Sequence, residues 1–162
     1  MAEYERMLAA NEEWARDFVG GLPVAPARRV AVVACMDARL DPARVLGLEE
    51  GDAHVIRNAS GAVTQDTLRS LTISQRLLGT REVVLLHHTD CGMLTFTDDD
   101  LRRSIQTETG VRPLWAAEAF TDLDDDVRQS IARIHADPAI PIKDHVRGFV
   151  YDVTTGSLRE VI

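Results

Sequence analysis

Continuous apolar runs of strand length alternate along this chain with segments whose apolar residues recur at helical spacing. Val30 to Ala34 is unbroken by any polar residue, as expected of a strand buried on both faces. Glu82 to His87 encloses Val83-Val84-Leu85-Leu86, a second run of that kind. Ala53 to Arg57 and Gly148 to Val153 are further strand candidates. The helical segments run from Glu3 to Gly20, with Tyr4, Leu8, Ala15 and Phe18 as apolar positions, and from Thr64 to Leu78, with Gly79 at the end. Another opens at Thr97-Asp98-Asp99-Asp100, where acids suit the positive end of the helix dipole, and a last one covers Asp122 to Ala136. Asp41-Pro42 reads as the N-cap and first position of a short helix ending near Gly47.

This alternation predicts an α/β fold: a mostly parallel central sheet of about four strands flanked by helices. Pro23 and Pro26 mark Leu22 to Arg28 as a linker. The chain therefore divides into an N-terminal helical arm and linker, 1–28, and a single α/β domain, 29–162. In parallel sheets ligands bind beyond the carboxyl ends of the strands. That rule singles out Cys35 to Arg39, Asn58 to Gly61 and His88 to Gly92.

Composition narrows the function classes. The 162 residues suit one domain with a core that needs no disulfide staple. Net charge is −8, from 18 basic and 26 acidic residues, which argues against nucleic acid or an anionic membrane as partner. Met1 to Arg6 is acidic and lacks the apolar core of a secretory signal. No run of about 18 apolar residues is present to span a bilayer. A cytoplasmic location is expected. The two cysteines then read as metal ligands, catalytic groups or inert core residues rather than as a disulfide.

The candidate chemistry lies in two of the strand-end segments. If Cys35-Met36-Asp37-Ala38-Arg39 stays extended, Cys35, Asp37 and Arg39 share one face. In His88-Thr89-Asp90-Cys91-Gly92, the three-residue spacing of His88 and Cys91 brings both to one side of a turn or helical loop. Alone, Cys35 reads as a small buried hydrophobe, His88 as a hydrogen-bonded core histidine, and Asp37 with Arg39 as a surface ion pair of little consequence. Together, two sulfurs and an imidazole at the mouth of one sheet point to a metal site. Two thiolates and an imidazole suit zinc, and three protein ligands leave a tetrahedral position open, the mark of a catalytic site. His54, His87, His135 and His145 remain as possible fourth ligands; His87 should point away from His88 along the strand.

The order Cys-x-Asp-x-Arg, Arg57-Asn58-Ala59, His-x-x-Cys-Gly resembles the β-carbonic anhydrase family over nearly the whole chain. The resemblance implies Zn2+ on Cys35, His88 and Cys91, and reversible hydration of carbon dioxide to bicarbonate and a proton by zinc-bound hydroxide. It implies Asp37 as the residue that engages the metal-bound water and Arg39 as its partner, which holds Asp37 off the metal. It implies a homodimer or homotetramer built around the sheet edge and the N-terminal helix. Ala38 stands where the common form has Ser, His54 where many members have an aromatic residue, and Ser60-Gly61 where many have Gly-Asn. The chain is also short for the family. A short subgroup that it resembles includes carbonyl sulfide hydrolases, so hydrolysis of carbonyl sulfide or carbon disulfide on the same scaffold is the alternative. A non-catalytic zinc-binding protein and a dithiol redox protein using Cys35 and Cys91 are the remaining readings. His54 and His87 are proton-shuttle candidates on side-chain pKa alone. The Asn58–Gly61 loop either lines the pocket, with Gly61 allowing close backbone approach, or is an ordinary strand-to-helix turn.

Overall fold

The computed structural model describes residues 2–162. The elements follow in the order α1 Glu3–Trp14, β1 Val30–Cys35, α2 Pro42–Leu46, β2 Ala53–Asn58, α3 Gln65–Arg76 and β3 Glu82–His88. A short 3-10 turn, Gly92–Leu94, comes next. It is followed by α4 Asp98–Thr109, α5 Leu123–Ala136, β4 Val146–Tyr151 and β5 Leu158–Val161. The sheet has five strands in the order β2-β1-β3-β4-β5. Pairings from β2 to β4 are parallel and β4–β5 is antiparallel.

Local chemistry sets the boundaries. Asp41 caps α2 by accepting from the Ala43 and Arg44 amides, Pro42 opens the helix, and Gly47 closes it in the left-handed conformation at φ 60°. Thr64 and Asp122 cap α3 and α5 in the same manner. β5 is the strand that the apolar pattern did not announce. Its sequence, LREV, has two charged residues at its centre, and only Val161 is buried. An antiparallel edge strand needs only one ladder partner and one covered side chain, so it leaves no apolar run.

Helix α1 stops at Trp14, not at Gly20. Nothing in it is buried, so no packing extends the helix to its glycine stop. Beyond it Phe18 turns back against Trp14, with ring centroids 4.6 Å apart.

The strands β1 and β3 run through the centre and are covered on both faces. On one face Ala31, Val33, Val83 and Leu85 pack with Leu68 and Leu71 of α3 and Ile134 of α5. On the other, Val32, Ala34 and Leu86 pack with Leu40, Met93 and the two cysteines. The carboxyl ends of β1 and β3 lie side by side, in the parallel register Ala34↔Leu86. Among the described residues, no helix is long and apolar enough to cross a membrane.

Candidate metal centre

Cys35 is the last residue of β1 and His88 the last of β3. A turn at Thr89-Asp90, with Asp90 in the left-handed region at φ 54°, returns the chain so that Cys91 faces both. One ligand atom from each of the three residues lies within 4.8 Å of the others, and all three side chains are buried. The sulfurs are 3.9 Å apart and form no disulfide. Tetrahedral zinc–thiolate bonds of about 2.3 Å place two sulfurs about 3.8 Å apart, so the spacing fits such an ion.

The imidazole is arranged to match. His88 Nδ1 lies 2.8 Å from the Thr89 carbonyl, to which it donates. That fixes the tautomer and leaves the Nε2 lone pair free. Nε2 is buried and has no hydrogen-bond partner. A buried acceptor without a partner beside two thiols is costly unless something binds it. The sulfurs lie within hydrogen-bond distance of each other, which pulls the Cys35 thiol well below its usual range and pushes Cys91 up. A metal ion takes the place of the proton in such a bond.

Residues 36–40 are not extended. The strand ends at Cys35 and the chain turns, with the Leu40 amide on the Asp37 carbonyl at 3.1 Å. Asp37 and Arg39 still meet, but through a turn and not by strand alternation. Arg39 donates from Nε to Asp37 Oδ1 at 2.9 Å and from Nη2 to Oδ2 at 2.8 Å, and its backbone amide also reaches Oδ1 at 2.8 Å. These bonds from Arg39 hold the Asp37 carboxyl well below the usual carboxylate range. Asp37 Oδ2 is 3.7 Å from His88 Nε2, so the carboxylate borders the cluster. Arg39 also donates to Asp90 Oδ2 at 2.6 Å and to the Asp90 carbonyl at 2.8 Å. One guanidinium thereby ties the loop after β1 to the loop after β3.

Two residues of this network carried no signal of their own in the sequence. Asp90 is an ordinary turn residue until Arg39 reaches it. Arg57 stood only as part of the Arg-Asn-Ala segment, yet its guanidinium donates to the carbonyls of Cys35, Asp37 and Leu40.

The other histidines stay outside the cluster. His87 points to the opposite face, with Nδ1 3.2 Å from Asp126 Oδ2 of α5. His54 Nδ1 engages Ser74 Oγ at 2.8 Å. His135 and His145 are exposed. Gly61 does make the close approach expected of it. Its φ is +80°, and a Cβ there would meet the Cys35 amide nitrogen at 2.9 Å and the Ala34 carbonyl carbon at 3.0 Å. Beside the cluster lies a cavity of about 430 Å³ whose lining includes Ala59, Met93, Phe96, Leu101 and Trp115.

The carbonic anhydrase family profile matches residues 30–158. β-Carbonic anhydrase 1 of Mycobacterium tuberculosis is 60% identical over 154 residues, covering 95% of this chain and 94% of that protein. The carbon disulfide hydrolase of Acidianus sp. is 31% identical over 185 residues, covering 99% of this chain and 90% of that one. Among solved structures, the carbonic anhydrase of Streptococcus mutans superposes with a TM-score of 0.93 at 43% identity, covering 100% of this chain and 99% of that one.

Proposed function

Because the chain belongs to the β-carbonic anhydrase family, we propose that it is a carbonate dehydratase, interconverting carbon dioxide and bicarbonate with a zinc ion held by Cys35, His88 and Cys91. The observation that carries this reading is the buried Cys-His-Cys cluster with its unpartnered Nε2. Zinc bound there supplies Lewis acidity, which makes water a nucleophile near neutral pH instead of near its bulk pKa of about 15.7.

The chain's own residues do the rest. Cys35 and Cys91 give two negative charges, offsetting a divalent ion. The Thr89 carbonyl keeps His88 in the tautomer that can coordinate. Asp37 accepts a hydrogen bond from the reacting water and so aims a lone pair at the carbon of the substrate. Arg39 occupies both carboxylate oxygens of Asp37, which keeps it ionised and holds it at the rim instead of on the metal. The proton released on hydration passes to solvent.

Carbon disulfide and carbonyl sulfide hydrolysis form the second reading, favoured by the relatives that carry the first of those activities in their names. These substrates and carbon dioxide are all small, linear and uncharged, and the apolar lining beside the cluster suits each. The 60% against 31% identity weighs for carbon dioxide. Parallel assays of carbon dioxide hydration and of carbonyl sulfide and carbon disulfide hydrolysis on one zinc-loaded sample decide between them. Hydration should dominate; sulfide release without hydration would reverse the assignment.

The chain assembles as a homodimer or homotetramer in the cytoplasm, with the arm of residues 1–28 packing on a partner and residues 29–162 forming the catalytic domain. Tyr4, Met7, Leu8 and Trp14 of α1 are all more than half exposed, an apolar surface that one copy leaves uncovered. Light scattering at micromolar concentration should show at least a dimer, and a purely monomeric sample would reject this assembly.

A further inference from the structure

Arg57 is the penultimate residue of β2, paired in register with Ala34 of β1. Every hydrogen bond of its side chain goes to a main-chain oxygen. Nε and Nη2 reach the Cys35 carbonyl at 3.1 and 2.9 Å, and Nη2 also reaches the carbonyls of Asp37 and Leu40, each at 2.8 Å.

These carbonyls belong to the last residue of β1 and to the turn that follows it, where the Asp37 carbonyl also accepts from the Leu40 amide at 3.1 Å. Main-chain oxygens at a strand end and in a turn need hydrogen-bond donors, and Arg57 supplies one to each of the three. They can converge on one planar guanidinium only if residues 35–40 curl around it. The curl is the local path that puts the Cys35 sulfur against Cys91 and brings Asp37 and Arg39 to the rim. The neighbouring backbone agrees with it: the Met36 amide is held by the Asn58 carbonyl at 2.8 Å, next to Arg57 in sequence. A guanidinium offers five donors in a fixed fork. A lysine ammonium is a compact point charge on a flexible stem and cannot serve the same set of carbonyls with the same geometry.

We propose that Arg57 is a positioning residue for the hydration reaction, fixing the loop that carries Cys35, Asp37 and Arg39 through the carbonyls of Cys35, Asp37 and Leu40. The proposal rests on the reading of Cys35, His88 and Cys91 as a zinc site bordered by the Asp37–Arg39 pair. It goes beyond that reading because Arg57 touches neither the metal position nor the substrate.

The test compares wild type with Arg57→Met and Arg57→Lys. Thermal melting first establishes folding. Two readouts follow: the visible spectrum of the cobalt-substituted protein, which reports ligand geometry without turnover, and kcat and KM of the zinc-loaded protein. Arg57→Met should alter the cobalt spectrum and lower kcat by on the order of 10–100-fold, the range found for groups that orient metal ligands from behind. KM should change much less, and Arg57→Lys should recover part of both losses. A folded Arg57→Met protein with the wild-type spectrum and wild-type kcat per bound metal overturns the proposal. If only Arg57→Lys folds, an unaltered spectrum and kcat in that variant overturn it. If neither variant folds, Arg57 belongs to the folding of the chain and not to the setting of the site, and the proposal falls. The zinc-site reading fails separately: wild type would then take up no cobalt and hydrate no carbon dioxide, whatever the variants do.

Discussion

His87 and His88 follow one another on β3, are both fully buried, and are sent by the pleat to opposite faces of the sheet. His88 meets Thr89 with one nitrogen and turns the other, unpartnered, toward two sulfurs. His87 has Nδ1 3.2 Å from the Asp126 carboxylate on α5, neither of its ring nitrogens makes a hydrogen bond, and it joins no cluster of metal-ligating groups among the described residues. Residue type and burial are the same on both faces. The difference lies in what the neighbouring strand ends deliver. β1 stops at Cys35 in register with β3, and the chain doubles back after β3 to bring Cys91. On the His87 face the space is filled by a helix. What sets the two histidines apart is the set of groups converging on the free nitrogen, not the histidine itself.

The sharpest way to break this contrast is to remove a residue of the Cys-His-Cys cluster from one face and the histidine from the other. Cys91→Ala and His88→Ala should each lose zinc on dialysis against a mild chelator and fall to background hydration. Stoichiometric zinc retained in either variant would show that the metal is held elsewhere. Arg39→Ala comes next in size. It should keep zinc yet lose about 10–100-fold in hydration rate, the scale for a partner that orients the groups around a metal. Metal analysis alongside stopped-flow hydration checks both halves, and wild-type activity would remove Asp37–Arg39 from the mechanism.

His87→Leu should leave the zinc content unchanged and act on stability. It strips the buried Asp126 carboxylate of its neighbour, and a buried polar group left alone costs about 1–3 kcal/mol. Denaturant unfolding should show that loss, and the double variant His87→Leu/Asp126→Leu should recover most of it. Loss of zinc in His87→Leu would contradict the separation of the two faces.

The smallest expected effect is a pH response that stays absent. Arg39 depresses the Asp37 pKa in the folded chain. A depressed carboxylate contributes stability above its unfolded value of about 3.9 and loses it as pH falls through the lower folded value. Between about pH 5 and 8 Asp37 should therefore stay ionised and contribute nothing to the pH dependence of rate or stability. A carboxyl NMR titration checks this, and the Asp37 signal should move toward the ordinary range in Arg39→Ala. A midpoint above pH 5 in wild type would contradict the pairing.

Much of this was legible in the residues, and the reason differs by element. β1 and β3 are buried on both faces, so they read as apolar runs whatever covers them. α2, α3 and α5 announce themselves through Asp41, Thr64 and Asp122 at their caps. β5 and the true end of α1 were illegible for opposite reasons: β5 is a strand with little to bury, and α1 has apolar residues that a single copy leaves in solvent. The Cys35, His88 and Cys91 grouping followed from strand ends alone. The turn at residues 36–40 did not, because it is set by Arg57 from 17 to 22 positions away. Likewise the reach of Arg39 to Asp90 spans 51 positions. Side-chain bonds between positions so far apart leave no period in a sequence.

The most direct test of the zinc-site reading is zinc content and carbon dioxide hydration measured on the same sample, before chelation, after chelation and after reloading. The expected result is close to one zinc per chain, hydration that disappears in proportion to zinc removed, and its return when zinc is restored. Hydration at the full rate in protein stripped of zinc would contradict the assignment of Cys35, His88 and Cys91 as the reaction centre.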